Sequence, residues 1–447
     1  MQSLFTPLKE KGLTSLKIQH DWRTGKFKLF AAREWDPDID FSTYNKAFYA
    51  ESILTEDAVF LNTKQVFQMY EEFGLSEHLK AVLDLIRAGK HFGIEAYYYD
   101  KYNMRFMHNQ HSKKLGVHNK RRAMFSGGIR RHELEEPELE AISDGLNLGR
   151  AMSYKNIPAG VKYGGAKTVI QMDPLDMDNM EQMGFIAYAI DRCFASSTPD
   201  MRLPKEMVGI MLDKFSVQWL AGPNSPLGSS GIPTAYGTFH AIKQALKFQR
   251  GSDSLKGVSA AIQGLGEVGM LVAELLAEEG AKLYVTDLDM DLTQQLKSKY
   301  PNNDITAVPV DEILDVEADI LAPNAIGGII TEEIIPKLKF KIIIGGANNQ
   351  LHATSVEEEI RLARILEEKG ILFQVDFWHN CGGVVVAFDE YELWTDTTTE
   401  ASIEKTIERV SRLTWEKLNE AKEKGISPTE AIYLECEEII YGDKAFS

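Results

Sequence analysis

The chain has 447 residues, 44% of them hydrophobic and 26% charged, with 34 glycines. This is ordinary globular composition with ample length for two domains, and it excludes disordered and collagen-like classes. With 49 basic and 66 acidic residues the formal charge is −17, so nucleic acid and anionic lipid are poor partners for the surface as a whole.

Cys193, Cys381 and Cys436 are three in number and widely spaced. They form neither a disulfide framework nor a zinc pattern, which favours a reducing, cytoplasmic setting. Ten histidines include no HExxH, and no metal site is expected. The opening MQSLFTPLKEKGL lacks the apolar core of a signal peptide, and no run reaches the roughly 18 apolar residues of a membrane span. No membrane partner is therefore expected.

In chain order, Ser15–Gln19 and Lys26–Ala32 flank the turn residues Arg23-Thr24-Gly25 and predict a β-hairpin. Helical patterns follow at Val66–Phe73 and His78–Ala88. Residues 1–88 carry no sign of chemistry and are read as an N-terminal extension with a structural or subunit-contact role. Short strands are predicted from Ile94 to Arg130, including IEAYYY and AMFSGGIR. The basic run His118–Arg122 reads as a solvated face more readily than as a phosphate site.

A helix over Pro137–Lys155 leads into MSYKNIPAGVKYGGAKTVI, which sets Lys155 and Lys167 twelve residues apart. Lys167 follows a Gly-Gly-Ala turn and precedes an apolar run. Glycines permit close backbone approach, so this lysine can sit in a crowded, water-poor place. Two amines there repel, and with desolvation they lower a lysine pKa toward neutrality, which makes a usable base. A surface lysine on a turn fits the same residues. After a helical stretch at Asp178–Phe194, Asp200 in Ser196-Ser197-Thr198-Pro199-Asp200 is either a turn residue or the acidic partner of that lysine.

Leu227–Pro233 reads as the inter-domain linker, with a helix at Thr234–Phe248 beyond it. Then come the strand SAAIQ, the turn Gly264-Leu265-Gly266-Glu267-Val268-Gly269, a helix, the strand AKLYVT and Asp287. A GxGxxG in that setting is a dinucleotide-binding fingerprint. Its glycines bring backbone amides to a pyrophosphate at a helix N-terminus. Asp287 would accept from the adenosine ribose and repel a 2′-phosphate, so NAD is expected as the cofactor. The α/β rhythm continues through Ala322-Pro323-Asn324, then Gly346-Ala347-Asn348-Asn349, then Asn380-Cys381-Gly382-Gly383. The tail predicts two helices, Ser402–Lys424 and Pro428–Tyr441, the last packing back on the first domain.

Together SGGIR, MSYKNIPAGVKYGGAKTVI, the turn with Asp200, SSGIPTAYG, GLGEVG with TD at 286–287, LAPNAIGG, GGANNQL and NCGGVV resemble the glutamate/leucine/phenylalanine/valine dehydrogenase superfamily. The similarity to its leucine/phenylalanine/valine branch runs from about Glu95 onward. It implies an α/β fold of two domains with a cleft between them. Residues 89–226 would be the substrate-binding and oligomerisation domain, 227–420 a doubly wound Rossmann NAD-binding domain, and 421–447 the returning helix.

By resemblance Lys167 is the catalytic lysine and Asp200 its acidic partner, while Lys155 binds the substrate α-carboxylate. Gly127 and Asn380 make further substrate contacts, Asn348 lines the site, and Thr234 contacts the nicotinamide carboxamide. Ser126, Thr198, Val384 and Ala387 wall the side-chain pocket. Glutamate-specific relatives place a lysine where Ser126 stands and a serine where Ala387 stands. A glutamate side chain would therefore be buried unpaired, which favours an apolar, branched-chain or aromatic amino acid. The resemblance further implies a homo-oligomeric enzyme. Two other readings remain: a glutamate dehydrogenase whose γ-carboxylate contact is Arg130 or Lys162, and a non-catalytic NAD-binding protein on the same scaffold.

Overall fold

The structure, a computed structural model, describes residues 2–44, 59–117, 125–204, 206–215, 230–393 and 398–444. It divides into two compact units. Unit 1 is residues 1–156 and 162–228, and unit 2 is residues 157–161 and 229–447. The basic run at 118–122 and residues 227–229 of the expected linker lie outside the described residues.

Unit 1 is built on an eight-stranded sheet: β1 (Ser15–Asp21), β2 (Lys26–Ala32), β3 (Phe60–Leu61), β4 (Gly93–Tyr99), β5 (Met104–Gln110), β6 (Phe125–His132), β7 (Gly164–Gln171) and β8 (Ala195–Pro199). The spatial order is β3-β2-β1-β4-β5-β7-β6-β8. Neighbours pair antiparallel from β3 to β7, whereas β6 runs parallel to both β7 and β8. Alternate residues of β4 enter different cores. Tyr97 and Tyr99 join one around the Met180–Cys193 helix, and Ile94, Ala96 and Tyr98 join another beneath the Thr63–Glu72 and Ser76–Ala88 helices. With both faces covered, IEAYYY has no polar face to show.

The segment expected as an extension is thus integral, since 1–88 supplies three of the eight strands. Its N-terminal end is fastened by buried Glu138, which accepts from Ser3 Oγ at 2.5 Å and from the Leu4 amide at 2.7 Å and meets His78 Nε2 at 2.9 Å.

The expected turn at Gly164-Gly165-Ala166 is instead the start of β7, and the preceding helix runs on to Ala159. Close packing is the reason. A Cβ on Gly165 would lie 2.1 Å from the Ser153 amide nitrogen and 2.2 Å from the Gly149 carbonyl oxygen. The glycines let strand and helix backbones touch.

Unit 2 is a six-stranded sheet, all parallel, of β9 (Ser259–Gln263), β10 (Lys282–Thr286), β11 (Ile305–Ala307), β12 (Ile320–Pro323), β13 (Ile342–Ile343) and β14 (Leu372–Phe373). Its order, β11-β10-β9-β12-β13-β14, is the doubly wound Rossmann arrangement, with the switch point between β9 and β12. Gly231–Pro233, read as linker, belongs to the first turn of the Gly231–Arg250 helix, where a proline sacrifices no intrahelical hydrogen bond. The last helix, Pro428–Ile440, was expected on unit 1 and instead packs within unit 2. There Glu430 pairs with Arg364 and the Tyr433 hydroxyl donates to Glu359, while the Tyr433 ring meets Phe377 edge-on.

Candidate active site

In unit 1 the parallel trio β6, β7 and β8 carries the candidate chemistry. Side chains alternate along a strand, so Gly165, Lys167 and Val169 of β7 share the face covered by the Glu138–Ala159 helix. On β6, Ser126, Gly128 and Arg130 share that same face. The Lys167 side chain is 8% exposed and its Nζ contacts Oδ2 of Asp200, which stands at the C-terminal end of β8. The Asp200 amide donates to the Ile129 carbonyl at 3.0 Å, fixing the turn on β6.

Burial pushes the Lys167 pKa down to about 7. The Arg130 guanidinium adds to this and the carboxylate of Asp144 opposes it, while Lys155 makes the smallest contribution. Like-charge repulsion was the correct idea, but its main source is Arg130 rather than the other lysine.

Gly128, absent from the expected site residues, is what makes room. A Cβ there would lie 2.9 Å from Lys167 Nζ and 3.0 Å from Asp200 Cβ. Gly127 is required for another reason, because its Cβ would fall 1.7 Å from the Ala166 carbonyl oxygen on β7. Ser126 Oγ is engaged by the buried Asn156, whose Nδ2 donates to it at 3.0 Å and to the Tyr163 carbonyl at 2.9 Å. Thr198 is half-buried and opposite Gly128 in the β6–β8 ladder. Lys155 lies on the long helix, half-buried.

In unit 2 the glycine turn divides its labour. Gly264 has φ +92°, a value that L side chains rarely adopt. Gly269 would drive a Cβ to 2.0 Å from the Gly264 carbonyl oxygen, so it serves the packing of helix on strand. A Cβ on Gly266 would meet nothing within 4 Å among the described residues, and this glycine starts the Glu267–Glu278 helix without a side-chain cap. That open space fits a pyrophosphate brought against the first-turn amides of the helix, with Val268 among them. Asp287 Oδ2 accepts from the Leu265 amide at 2.6 Å and Oδ1 from the Asp289 amide at 2.9 Å. The acid therefore also holds the turn in shape. Leu288, 91% exposed after β10, and Ile326, 67% exposed after β12, flank β9 and were not foreseen. A solitary apolar residue just past the acid was the available signal.

Further along the sheet, Asn324 Oδ1 accepts from the Gly346 amide at 2.8 Å and Nδ2 donates to the Ala322 carbonyl at 2.9 Å, clasping the ends of β12 and β13. Asn380 is 1% exposed, and its Nδ2 donates to Asn348 Oδ1 at 3.0 Å, the Gly346 carbonyl at 3.2 Å and Asp376 Oδ2 at 3.3 Å. This fixes the amide and leaves Asn380 Oδ1 buried with no hydrogen-bond partner among the described residues. Thr234 Oγ1 donates to the Ser230 carbonyl and accepts from the Gly383 amide at 3.1 Å. Val384 and Ala387 are half-buried and share a face of the Gly382–Leu393 helix. Among the described residues no group of His, Cys, Asp and Glu could hold a metal, and no helix is long and apolar enough to cross a membrane.

A Rossmann unit with an open glycine cradle, joined in one chain to a buried lysine–carboxylate pair, defines a dinucleotide-dependent oxidoreductase. The chain belongs to the Glu/Leu/Phe/Val dehydrogenase family. Residues 115–217 match its dimerisation domain, and residues 230–444 match the glutamate/leucine/phenylalanine/valine dehydrogenase domain. It is 34% identical to phenylalanine dehydrogenase of Lysinibacillus sphaericus over 336 residues, covering 74% of this chain and 85% of that one. To leucine dehydrogenase of Thermoactinomyces intermedius it is 39% identical over 272 residues, covering 59% and 70%. Among solved structures, L-tryptophan dehydrogenase from Nostoc punctiforme matches with a TM-score of 0.66 at 25% identity, covering 80% of this chain and 99% of that one. The protein is thus an amino acid dehydrogenase using a nicotinamide dinucleotide.

Proposed function

We propose that the protein catalyses reversible, NAD-dependent oxidative deamination of an apolar L-amino acid, branched-chain or aromatic, to the 2-oxo acid and ammonia. The observation that carries this is the Lys167 amine, buried against Asp200 with its pKa near 7. In this reading Lys155 binds the substrate carboxylate, and Gly127, Ser126, Thr198, Val384 and Ala387 lie along the substrate. Asn380 presents its unpartnered Oδ1 to a donor on the ligand.

Asp200 takes a proton from the substrate ammonium, because only the neutral amine can release hydride from Cα. Thr234, Asn324 and Asn348 would hold the nicotinamide, which when bound would supply the hydride acceptor. Lys167 then draws a proton from water as it attacks the iminium carbon, and returns it to nitrogen; the hydroxyl so formed loses its own proton as the C–N bond breaks and ammonia leaves, and the charged lysine stabilises the alkoxide that develops in that step. Gly266, Glu267 and Val268 would cradle the pyrophosphate, in a turn that Gly264 and Gly269 shape. Asp287 would meet the ribose hydroxyls and disfavour a 2′-phosphate, and the exposed Leu288 and Ile326 would supply apolar lining, with fully buried Ala322 behind it.

Against glutamate as substrate stands the occupation of Arg130, whose Nη1 is already bonded to both oxygens of Asp144 at 2.9 Å. Lys162 is exposed, a poor place from which to neutralise a buried γ-carboxylate. The match of residues 115–217 to the family's dimerisation domain supports a homo-oligomer. Screening NADH production over twenty L-amino acids tests the function. Turnover of leucine, valine, isoleucine or phenylalanine is expected, and activity on glutamate alone would overturn the proposal.

A further inference from the structure

Arg130 takes no part in the steps above, yet it sits at their centre. Two residues beyond Gly128 on β6, its guanidinium is 17% exposed. Nη1 spans the two oxygens of Asp144 at 2.9 Å each, and Nη2 lies 3.6 Å from Oδ2 of Asp200, the oxygen that meets Lys167. Asp144 comes from the Glu138–Ala159 helix and is held on its other side by His132 Nε2 at 3.2 Å. One planar fork therefore joins a fixed carboxylate on the helix to the carboxylate beside the amine. A point-like ammonium cannot span both.

We propose that Arg130, locked by Asp144, is a positioning residue for the proton chemistry: it holds the Asp200 carboxylate against the Lys167 amine and supplies the positive charge that keeps the pair ready to accept a proton. This rests on Lys167 and Asp200 being the proton-transfer pair. The charges facing Lys167 are Asp200 after β8, Arg130 on β6, and Asp144 and Lys155 on the helix, while β5 presents the neutral Asn109. Arg130 works against the ammonium form and Asp144 works for it. Removing one charge and removing the other must move the amine in opposite directions, which simple loosening of the site would not do.

The experiment is competitive acetylation of Lys167 in the full chain, read by peptide mass as a function of pH without substrate, beside the pH dependence of kcat/KM. Arg130→Gln is expected to raise the midpoint by about one unit and to cut kcat by about tenfold or more. Asp144→Asn lowers the midpoint. Arg130→Lys restores the midpoint but only part of kcat, because the bridge is lost. An unmoved midpoint in Arg130→Gln, or shifts of the same sign in Arg130→Gln and Asp144→Asn, would overturn the proposal. Should Arg130→Gln fail to fold, a lowered midpoint in Asp144→Asn together with a parental midpoint and reduced kcat in Arg130→Lys supports the proposal, and an unmoved or raised midpoint in Asp144→Asn overturns it. Opposite shifts in a protein that turns over no amino acid would remove the functional reading and leave this arrangement standing.

Discussion

Lys167 sets the sharpest expectations at the scale of single residues. Its pKa near 7 makes it half neutral at physiological pH, so kcat/KM is expected to climb through about pH 7 and level off above it. A profile flat between pH 6 and 8 would contradict its role as base. Lys167→Ala should lower kcat by a factor of about 10² to 10⁴ while leaving NADH binding, followed by fluorescence titration, unchanged. Asp287→Ser should relax the preference for NAD over NADP. It should also weaken NAD itself, because the Leu265 amide loses the partner that shapes the turn. Unchanged discrimination would show that another residue reads the ribose.

The lysines, Asp200 and the glycine turn are legible in the sequence because each carries its chemistry in its own local pattern. Arg130 and Asp144 are legible only after folding. Their meaning lies in a strand face meeting a helix face, and nothing within either segment says that they meet. Asp144 does lie eleven residues before Lys155, three helical turns and hence one face, but that spacing means little until β6 is known to lie across from it.

Among the elements, the turn after β9 separates glycines that serve the fold from one that serves the ligand. Gly269→Ala must displace the Gly264 carbonyl and is expected to cost about 3 kcal/mol or more in urea unfolding. Gly266→Ala meets open space. It should unfold within about 0.5 kcal/mol of the parent, yet lose dinucleotide affinity. Equal destabilisation of the two would remove the distinction. The strand–turn–helix here was readable because an apolar strand, a glycine turn and an apolar helix follow one another without interruption. At Gly164-Gly165 the same residue type misled: glycines signal a turn when alone, but here they mark two backbones pressed together. The final helix misled in another way, since an amphipathic pattern says that a face is buried and not what buries it.

At the level of the whole molecule, unit 1 carries an acid liability. Burial pushes His91 down to about pKa 3 and His108 to about 4, and His111 also falls well below its ordinary value, with the rings of His91 and His111 5.2 Å apart. A lowered histidine pKa means that the unfolded chain takes up protons the folded chain refuses. Stability is therefore intact above the unfolded value of about 6.5 and falls as pH drops from there toward 4, by about 1.4 kcal/mol per pH unit for each such histidine. Urea midpoints at pH 7, 6 and 5 measure that slope, and His108→Gln should make it shallower by one proton. A slope indifferent to His108 would show that other groups govern acid unfolding. None of this could be read from ten scattered histidines, because burial belongs to the sheet and not to the residue.

The clasp of Glu138 on Ser3 and Leu4 bears on how the protein can be handled. Glu138 opens the helix that also carries Asp144 and Lys155, so trimming those two residues would take two donors from a buried carboxylate at the head of that scaffold and leave it to His78 and Arg105. A purification tag fused directly ahead of Ser3 would press on the same anchor.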